Sequence, residues 1–183
     1  HNPAICSRGL VQFILRYLLL MLSYGLLWWF LPLAALVAFL GMSAYHFGQS
    51  HFLEQGKLEN KEGVLYLLKG AFFLLLILFG DWAMTQEILS SMLSIDLSED
   101  VRLGILGFLL VSSLIVQGFS NKPFGLGSGL DYLILAPILY FSPLLISFSV
   151  YFGFWHSLPS MLAEYDYLKQ IPAFNSPLKF GKQ

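Results

Sequence analysis

Four long apolar runs dominate the pattern of hydrophobic and polar positions along this chain. They cover residues 10–44, 64–79, 103–116 and 130–154, and few charged side chains interrupt them. A helix that spans a bilayer needs about 20 mostly apolar residues, so the first run is long enough for two crossings. The pattern predicts an all-α fold, a polytopic membrane helix bundle.

Breaks within these runs divide them into about six membrane segments. The Ser-Tyr-Gly sequence at residues 23–25 predicts the end of the first segment, and Pro32 predicts a kink in the second. Ser142 and Pro143 interrupt the last run, which is either two short spans or one broken helix. The predicted segments are residues 9–24, 26–48, 64–80, 103–119, 130–140 and 144–155.

Polar stretches connect the segments. Residues 54–63 are a predicted charged loop, and residues 86–93 a predicted short surface helix. Ser98 is a predicted helix N-cap, because a hydroxyl can accept from the first N–H groups and two acidic residues follow it. Residues 120–129, which contain three glycines and a proline, are a predicted loop.

The composition agrees with exposure to lipid. Of the 183 residues, 57% are hydrophobic and only 11% are charged, whereas soluble domains average about 25% charged residues. The net charge of −1 and the lack of a basic cluster argue against a nucleic-acid partner. The single cysteine, Cys6, excludes an internal disulfide and a multi-cysteine metal site. We interpret residues 1–170 as one transmembrane helical domain and residues 171–183 as a polar, flexible tail.

Charged side chains are unevenly divided between the two predicted sides of the membrane. With six crossings, the basic residues outside the segments fall on one side, except Arg102, and the opposite side carries five acids and only that one basic residue. Loops rich in lysine and arginine stay in the cytoplasm, so both termini and the ends of the segments that carry the histidines are predicted to be cytoplasmic. The basic residues are Arg8, Lys57, Lys61, Lys122, Lys169, Lys179 and Lys182, and the opposite acids are Asp81, Glu87, Asp96, Glu99 and Asp100.

Histidines end two of the apolar segments. His46 and His51 lie at the end of the second segment, and His156 ends an aromatic run in the last. A polar ring at membrane depth needs a partner and is a candidate for function, and a shared metal is the simplest partner. Imidazoles suit iron, copper or zinc. His51 points about 140° from His46 on a regular helix, so it is a third ligand only if Gly48 loosens the last turn. Otherwise it supports a ligand from behind or faces solvent.

Aromatic residues make up 16% of the chain. Most are expected to contact lipid or to form interfacial belts. Tyr45, Phe47, Phe152 and Trp155 flank the histidines and could instead line a slot for a long apolar substrate. Asp131 lies in the first turn of its segment and is expected to cap that helix rather than to act in catalysis.

Two motifs resemble those of the Brp/Blh family of membrane β-carotene 15,15′-dioxygenases. They are Ser-Ala-Tyr-His-Phe-Gly at residues 43–48 and Tyr-Phe-Gly-Phe-Trp-His-Ser at residues 151–157. The resemblance implies a multi-pass cell-membrane protein of bacteria or archaea with histidine-bound non-haem Fe²⁺. It implies that dioxygen cleaves the carotenoid β-carotene at its central double bond into two all-trans-retinal molecules, with a functional link to a microbial rhodopsin. It also implies that His46 and His156 are the catalytic iron ligands.

The chain departs from the family pattern in two places. Family members usually carry another histidine four residues after the histidine of the Trp-His-Ser motif, where this chain has Ser160. The family's His-Gly-x-x-Asp motif is absent, and we expect it to precede residue 1. Either His51 or a residue outside this chain completes the ligand set, or the chain is a divergent, inactive relative.

Two other classes of function fit a polytopic membrane chain. One is a non-catalytic transporter or rhodopsin-assembly factor, although scarce intramembrane acids and the lack of a repeat argue against a transporter. The other is a membrane desaturase or hydroxylase. That class carries several closely spaced His-x-x-His boxes, which this sequence lacks.

Overall fold

The computed structural model describes residues 3–52, 62–90, 92–93, 96–121 and 124–168. Every regular element in these ranges is helical, which confirms the all-α fold class. The α-helices are α1 (Pro3–Phe30), α2 (Pro32–Ser50), α3 (Gly63–Gly80), α4 (Trp82–Leu89), α5 (Glu99–Gly118), α6 (Leu126–Leu130), α7 (Ala136–Phe141), α8 (Leu144–Val150) and α9 (Ser157–Leu168). Two π-helical segments, Asp131–Leu135 and Tyr151–His156, join α6 to α7 and α8 to α9. Residues 54–61 of the predicted charged loop and the predicted tail at 171–183 lie outside the described residues.

The chain groups into two compact units, His1–Leu40 and Gly41–Gln183. The first unit holds α1 and the first part of α2. The apolar span Leu10–Phe30 of α1 has no buried residue in its most apolar window, so its surface suits contact with lipid. The Tyr24 hydroxyl donates to the carbonyl oxygen of Ala35 at 3.1 Å, which ties α1 to α2 beside the break between them.

The first helix break lies later than the sequence predicts. α1 continues through residues 23–25 and ends at Phe30, and α2 begins at Pro32. Ser23 does not interrupt α1 because its hydroxyl donates to the carbonyl oxygen of Leu19 at 2.8 Å within the same helix, and glycine is common in transmembrane helices. Pro32 is the first residue of α2. The N–H of Leu31 still donates to the carbonyl oxygen of Leu27 at 2.8 Å, and that of Ala35 donates to the carbonyl oxygen of Leu31 at 3.0 Å, so the interruption lies at the proline, as predicted.

In the second unit, α3 is the central helix. It packs against α4, α5, α7 and α8. Of its most apolar window, 56% is buried, compared with 22% for α5. One cluster of its core contains Phe52, Leu65 and Tyr66, with Tyr45 and Val116 packed against it. A helix that is apolar all round is expected at such a central position.

Two glycines let α2 approach α3 closely. A β-carbon added to Gly48 would overlap the backbone carbonyl of Tyr66, and one added to Gly70 would overlap that of Ala44. Small residues four positions apart, here Ala44 and Gly48, permit this kind of backbone contact between membrane helices. The contact sets the distance from α3 to the end of α2, which carries His46.

Local predictions of helix ends are mostly confirmed. Ser98 accepts a hydrogen bond from the N–H of Val101 at 3.4 Å at the start of α5. The surface helix predicted at residues 86–93 exists as α4, shifted toward the N terminus. The loop predicted at residues 120–129 is wrong at its end, because α6 already begins at Leu126.

Within the described residues, five helical stretches are apolar enough to belong in a membrane. The three that are long enough to cross one are Leu10–Phe30, Gly63–Gly80 and Glu99–Gly118. The two shorter ones, Leu126–Phe141 and Leu144–His156, are separated at Ser142 and Pro143, as predicted. These stretches support a membrane helix bundle, while the total of six crossings and their orientation stay predictions.

Candidate functional site

Two histidines from distant parts of the chain lie next to each other. His46 is near the end of α2, and His156 ends the π-helical segment Tyr151–His156. Their ring centroids are 5.1 Å apart, and the ring planes make an angle of 75°. The structure thus brings together the two residues that the sequence predicts as metal ligands. Ligation itself stays a prediction.

Phe47 and Phe152 pack around this histidine pair. The ring centroid of Phe47 lies 5.4 Å from that of His156 and 5.0 Å from that of Phe152. Phe152 in turn lies 6.1 Å from His156. Two of the four residues predicted to line a substrate slot are therefore beside the pair, and they give it an apolar wall. Their contact with a substrate stays a prediction.

Tyr45 and Trp155, the other two predicted slot residues, have structural partners instead. The Tyr45 ring packs edge-on against Tyr66, with centroids 6.0 Å apart. Consecutive helical residues point about 100° apart, so Tyr45 faces the core rather than the side of α2 that carries His46. The Nε1–H of Trp155 donates to Oδ1 of Asp131 at 2.6 Å. These contacts hold both rings against neighbouring residues, and their contact with a substrate stays a prediction.

His51 has both ring nitrogens engaged by side chains. Nδ1 lies 2.9 Å from Oδ2 of Asp131, and Nε2 lies 3.0 Å from the hydroxyl of Tyr151. A carboxylate only accepts, so in the neutral ring Nδ1 donates and Nε2 accepts from the tyrosine. The ring is also buried and stacks on Phe73 with centroids 4.5 Å apart. His51 as a third metal ligand does not fit this arrangement, which favours the supporting position over both ligation and exposure to solvent.

Lys69 is a buried cation that the sequence analysis did not identify. It lies in α3, is fully buried, and its Nζ is 2.7 Å from Oδ2 of Asp131. The ammonium group also lies 4.7 Å from the ring centroid of Phe52 and 5.1 Å from that of Tyr132, where the electron-rich faces of the rings attract it. A lone lysine inside a helix as apolar as α3 is a signal of function that could have been found, since such a charge needs a partner.

Asp131 does not cap a helix, contrary to the sequence prediction. The helix already begins at Leu126, so Asp131 lies inside a continuous helical stretch, at the start of the π-helical segment Asp131–Leu135. Its carboxylate is buried, accepts hydrogen bonds from Trp155 and His51, and forms an ion pair with Lys69. The prediction was wrong because capping is judged from neighbours in sequence, whereas these three partners come from other parts of the chain.

A cavity of about 300 Å³ opens beside this polar group. His51 and Asp131 form its polar wall together with Ser50, and Leu130, Phe154 and Trp155 are among its apolar lining residues. Pockets that combine apolar walls with a few fixed polar groups are the usual form of small-molecule sites. The cavity therefore adds a pocket beside His51 and Asp131 to the candidate site.

The histidine pair fits part of a metal site. Two neighbouring imidazoles are a suitable start for iron, copper or zinc, and the 5.1 Å between their centroids allows both rings to approach one ion. In the part of the chain that the structure describes, no group of three or more histidine, cysteine, aspartate or glutamate side chains could hold a metal. The described residues thus offer two candidate ligands, and a metal site would need further ones.

Comparisons with known proteins give one match. No curated protein and no solved structure matches the chain. The model of the family described as beta-carotene 15,15'-dioxygenase matches residues 3–180, which include both histidine motifs and the helices that carry Lys69 and Asp131. Because the match covers nearly the whole sequence, the chain belongs to the beta-carotene 15,15'-dioxygenase family.

Proposed function

We propose that this protein is a non-haem iron dioxygenase of the cell membrane that cleaves β-carotene at its central 15,15′ double bond. One β-carotene and one dioxygen give two all-trans-retinal molecules, so every atom of both reactants is in the products. The observation that carries the proposal is the meeting of His46 and His156, which come from separate helices and lie with their ring centroids 5.1 Å apart. The family match supports the substrate and the reaction.

His46 and His156 would hold Fe²⁺ through neutral imidazole nitrogens. The chemistry that the metal supplies when bound is the activation of dioxygen for attack on an alkene. The set of ligands would be completed by residues beyond those that the structure describes or beyond this chain. A functional link to a microbial rhodopsin, which uses retinal, belongs to the same proposal.

Phe47 and Phe152 would position the polyene. Their rings pack beside His156, and apolar aromatic surface binds a hydrocarbon chain while it keeps water away. The cleaved bond would then be fixed by where the polyene lies along these rings relative to the histidine pair. The membrane is the source of the substrate, because β-carotene dissolves in lipid.

Cells that make β-carotene provide the test. Expression of the protein should bleach the pigment and accumulate retinal, and the purified protein should contain iron. His46→Ala and His156→Ala should each leave the colour intact. The purified variants should contain no more iron than a preparation made in the same way from membranes without the protein, because each change removes a ligand. Phe119→Ala is the control, since this ring is 90% exposed.

Three results would contradict the proposal. Bleaching that persists in both histidine variants would mean that another agent cleaves the pigment. An iron content that is unchanged in those variants would show that His46 and His156 do not form the metal site. Wild-type protein that binds iron but leaves β-carotene untouched would refute the substrate while the metal site remains.

A further inference from the structure

Asp131 connects three separate elements through one carboxylate. Oδ2 lies 2.7 Å from Nζ of Lys69 on α3 and 2.9 Å from Nδ1 of His51, just after the end of α2. Oδ1 accepts from Nε1 of Trp155 at 2.6 Å, in the π-helical segment that ends at His156. Both oxygens are thus engaged, and the partners come from both chain segments that carry the histidine pair.

Two of these contacts, those of Trp155 and His51, are close in sequence to one histidine of the pair. Trp155 directly precedes His156, and His51 lies five residues after His46, just after the end of α2. Tyr151 closes the group, because its hydroxyl lies 3.0 Å from Nε2 of His51 and its ring lies 5.5 Å from that of Phe47. A displacement of the carboxylate would therefore be transmitted to both histidine-bearing segments.

The local backbone gives a reason why such contacts are needed. His46 lies near a helix end, where hydrogen bonds are fewer and the chain frays. His156 ends a π-helical segment, whose wider turn is rare and is often found at functional sites. Both histidines thus lie on backbone that is less regular than the middle of an α-helix, so contacts of the residues next to them in sequence can influence the direction of their rings.

The geometry points to Asp131 as the positioning residue of the histidine pair. By holding Trp155 and His51 at fixed places, its carboxylate sets the spacing of His46 and His156, and Lys69 balances its charge inside the bundle. This inference rests on the proposed function, which supplies the identity of the metal. The spacing of the two rings can be tested with any metal that binds a pair of imidazoles.

Two double variants separate hydrogen bonding from charge. Lys69→Met with Asp131→Asn removes both charges but keeps an acceptor for Trp155 and a polar partner for His51, whose ring can change tautomer. Lys69→Met with Asp131→Leu removes the charges and the hydrogen bonds together. Both avoid the lone buried charge that a single substitution would leave.

The readout is the affinity of the purified full chain for Cu²⁺, which binds imidazoles more tightly than other divalent first-row metals. His46→Ala and His156→Ala identify the part of the binding that depends on the pair, and thermal unfolding reports stability separately. Trp155→Phe removes the indole N–H together with one ring. Trp82→Phe makes the same change away from the site and is its matched control, because Trp82 lies at the start of α4 and contacts Phe79 and Arg102.

We expect the Lys69→Met, Asp131→Asn variant to keep the wild-type affinity within about twofold. The Asp131→Leu pair and Trp155→Phe should each lose about tenfold or more, as is typical when residues that orient a ligand are removed. Trp82→Phe should lose none. These losses should appear at temperatures where every variant is folded.

Equal Cu²⁺ affinity in the two double variants, or in Trp155→Phe and Trp82→Phe, would overturn the positioning role. So would wild-type binding that does not depend on His46 and His156, because the rings would then not be held at a chelating distance. The variants could show the expected Cu²⁺ affinities while the protein binds no iron and forms no retinal. That result would refute the proposed function but leave the positioning role of Asp131 standing.

Discussion

Lys69 and Asp131 each make further contacts inside the bundle in addition to their ion pair. Breaking a buried pair by removing one partner costs about 3–5 kcal/mol, while replacing both with apolar residues is often neutral. Here the carboxylate has two further hydrogen-bond partners, Trp155 and His51, and the ammonium group lies over aromatic rings. These additional contacts offset the cost of burying the two charges, and those of the carboxylate also join it to the segments that carry the histidine pair.

Ser160 offers a test of the direction in which His156 faces. Position 160 lies on α9, one turn after His156, and residues four apart share a helix face. Ser160→His should therefore add a ligand and raise the affinity for Fe²⁺, measured by titration of the purified protein. Ser90→His, at the exposed end of α4, is the control.

An unchanged affinity in the Ser160→His variant would show that His156 faces away from the metal, or that α9 is displaced from that face. The control variant should leave the affinity at the wild-type value.

At the scale of elements, the packing of α2 on α3 depends on two glycines. Gly70→Ala would push a methyl group into the backbone carbonyl of Ala44, and overpacking of this kind costs about 1–3 kcal/mol. Gly107→Ala, on α5, meets nothing within 4 Å and removes a glycine from a helix interior, which gains up to about 1 kcal/mol. Thermal unfolding in detergent should therefore show a lower midpoint for Gly70→Ala and an equal or higher one for Gly107→Ala.

Equal midpoints for the two glycine variants would mean that α2 and α3 do not touch at Gly70. Gly48→Ala gives an independent check, because its β-carbon would overlap the carbonyl of Tyr66 on the same interface.

Helix boundaries show which elements the sequence could predict. The end at Gly80, the cap at Ser98 and the break at Ser142 were predicted correctly, because each depends on residues adjacent in sequence. The break expected at residues 23–25 was wrong, since Ser23 satisfies its hydroxyl within α1. A polar residue in an apolar run can end a helix or bond to it, and only the structure distinguishes the two.

The candidate site, like the helix boundaries, could be predicted only where it depends on residues close together in sequence. His46 and His156 were identified because histidine is rare in apolar segments, and Phe47 and Phe152 because they flank them. The contacts of Asp131 with Lys69 could not be predicted, because they join residues far apart in sequence and depend on how α3 packs. Local pattern thus identifies the histidines, and tertiary packing decides what supports them.

At the scale of the whole molecule, the distribution of charge predicts how the chain lies in the membrane. Gly63–Gly80 and Glu99–Gly118 are both long enough to cross, so the segment between them has to lie on one side. That segment is rich in acids, whereas the lysines lie mainly in residues 57–61, at residue 122 and after residue 168. Because lysine-rich loops stay in the cytoplasm, we expect the segment between α3 and α5 to lie outside.

Reporter fusions test this orientation directly. A reporter fused after Gln183 should be active only if it is of a type that works in the cytoplasm, because an even number of crossings places both termini on the same side. A reporter inserted near Asp96 should be active only if it is of a type that works outside. The same orientation places His46 and His156 at the cytoplasmic ends of their segments, so a retinal product would be released near that surface. Two fusions that report the same side would refute the six-crossing arrangement. The contact between the two histidine rings would remain, because it depends on packing within the bundle and not on the direction of insertion.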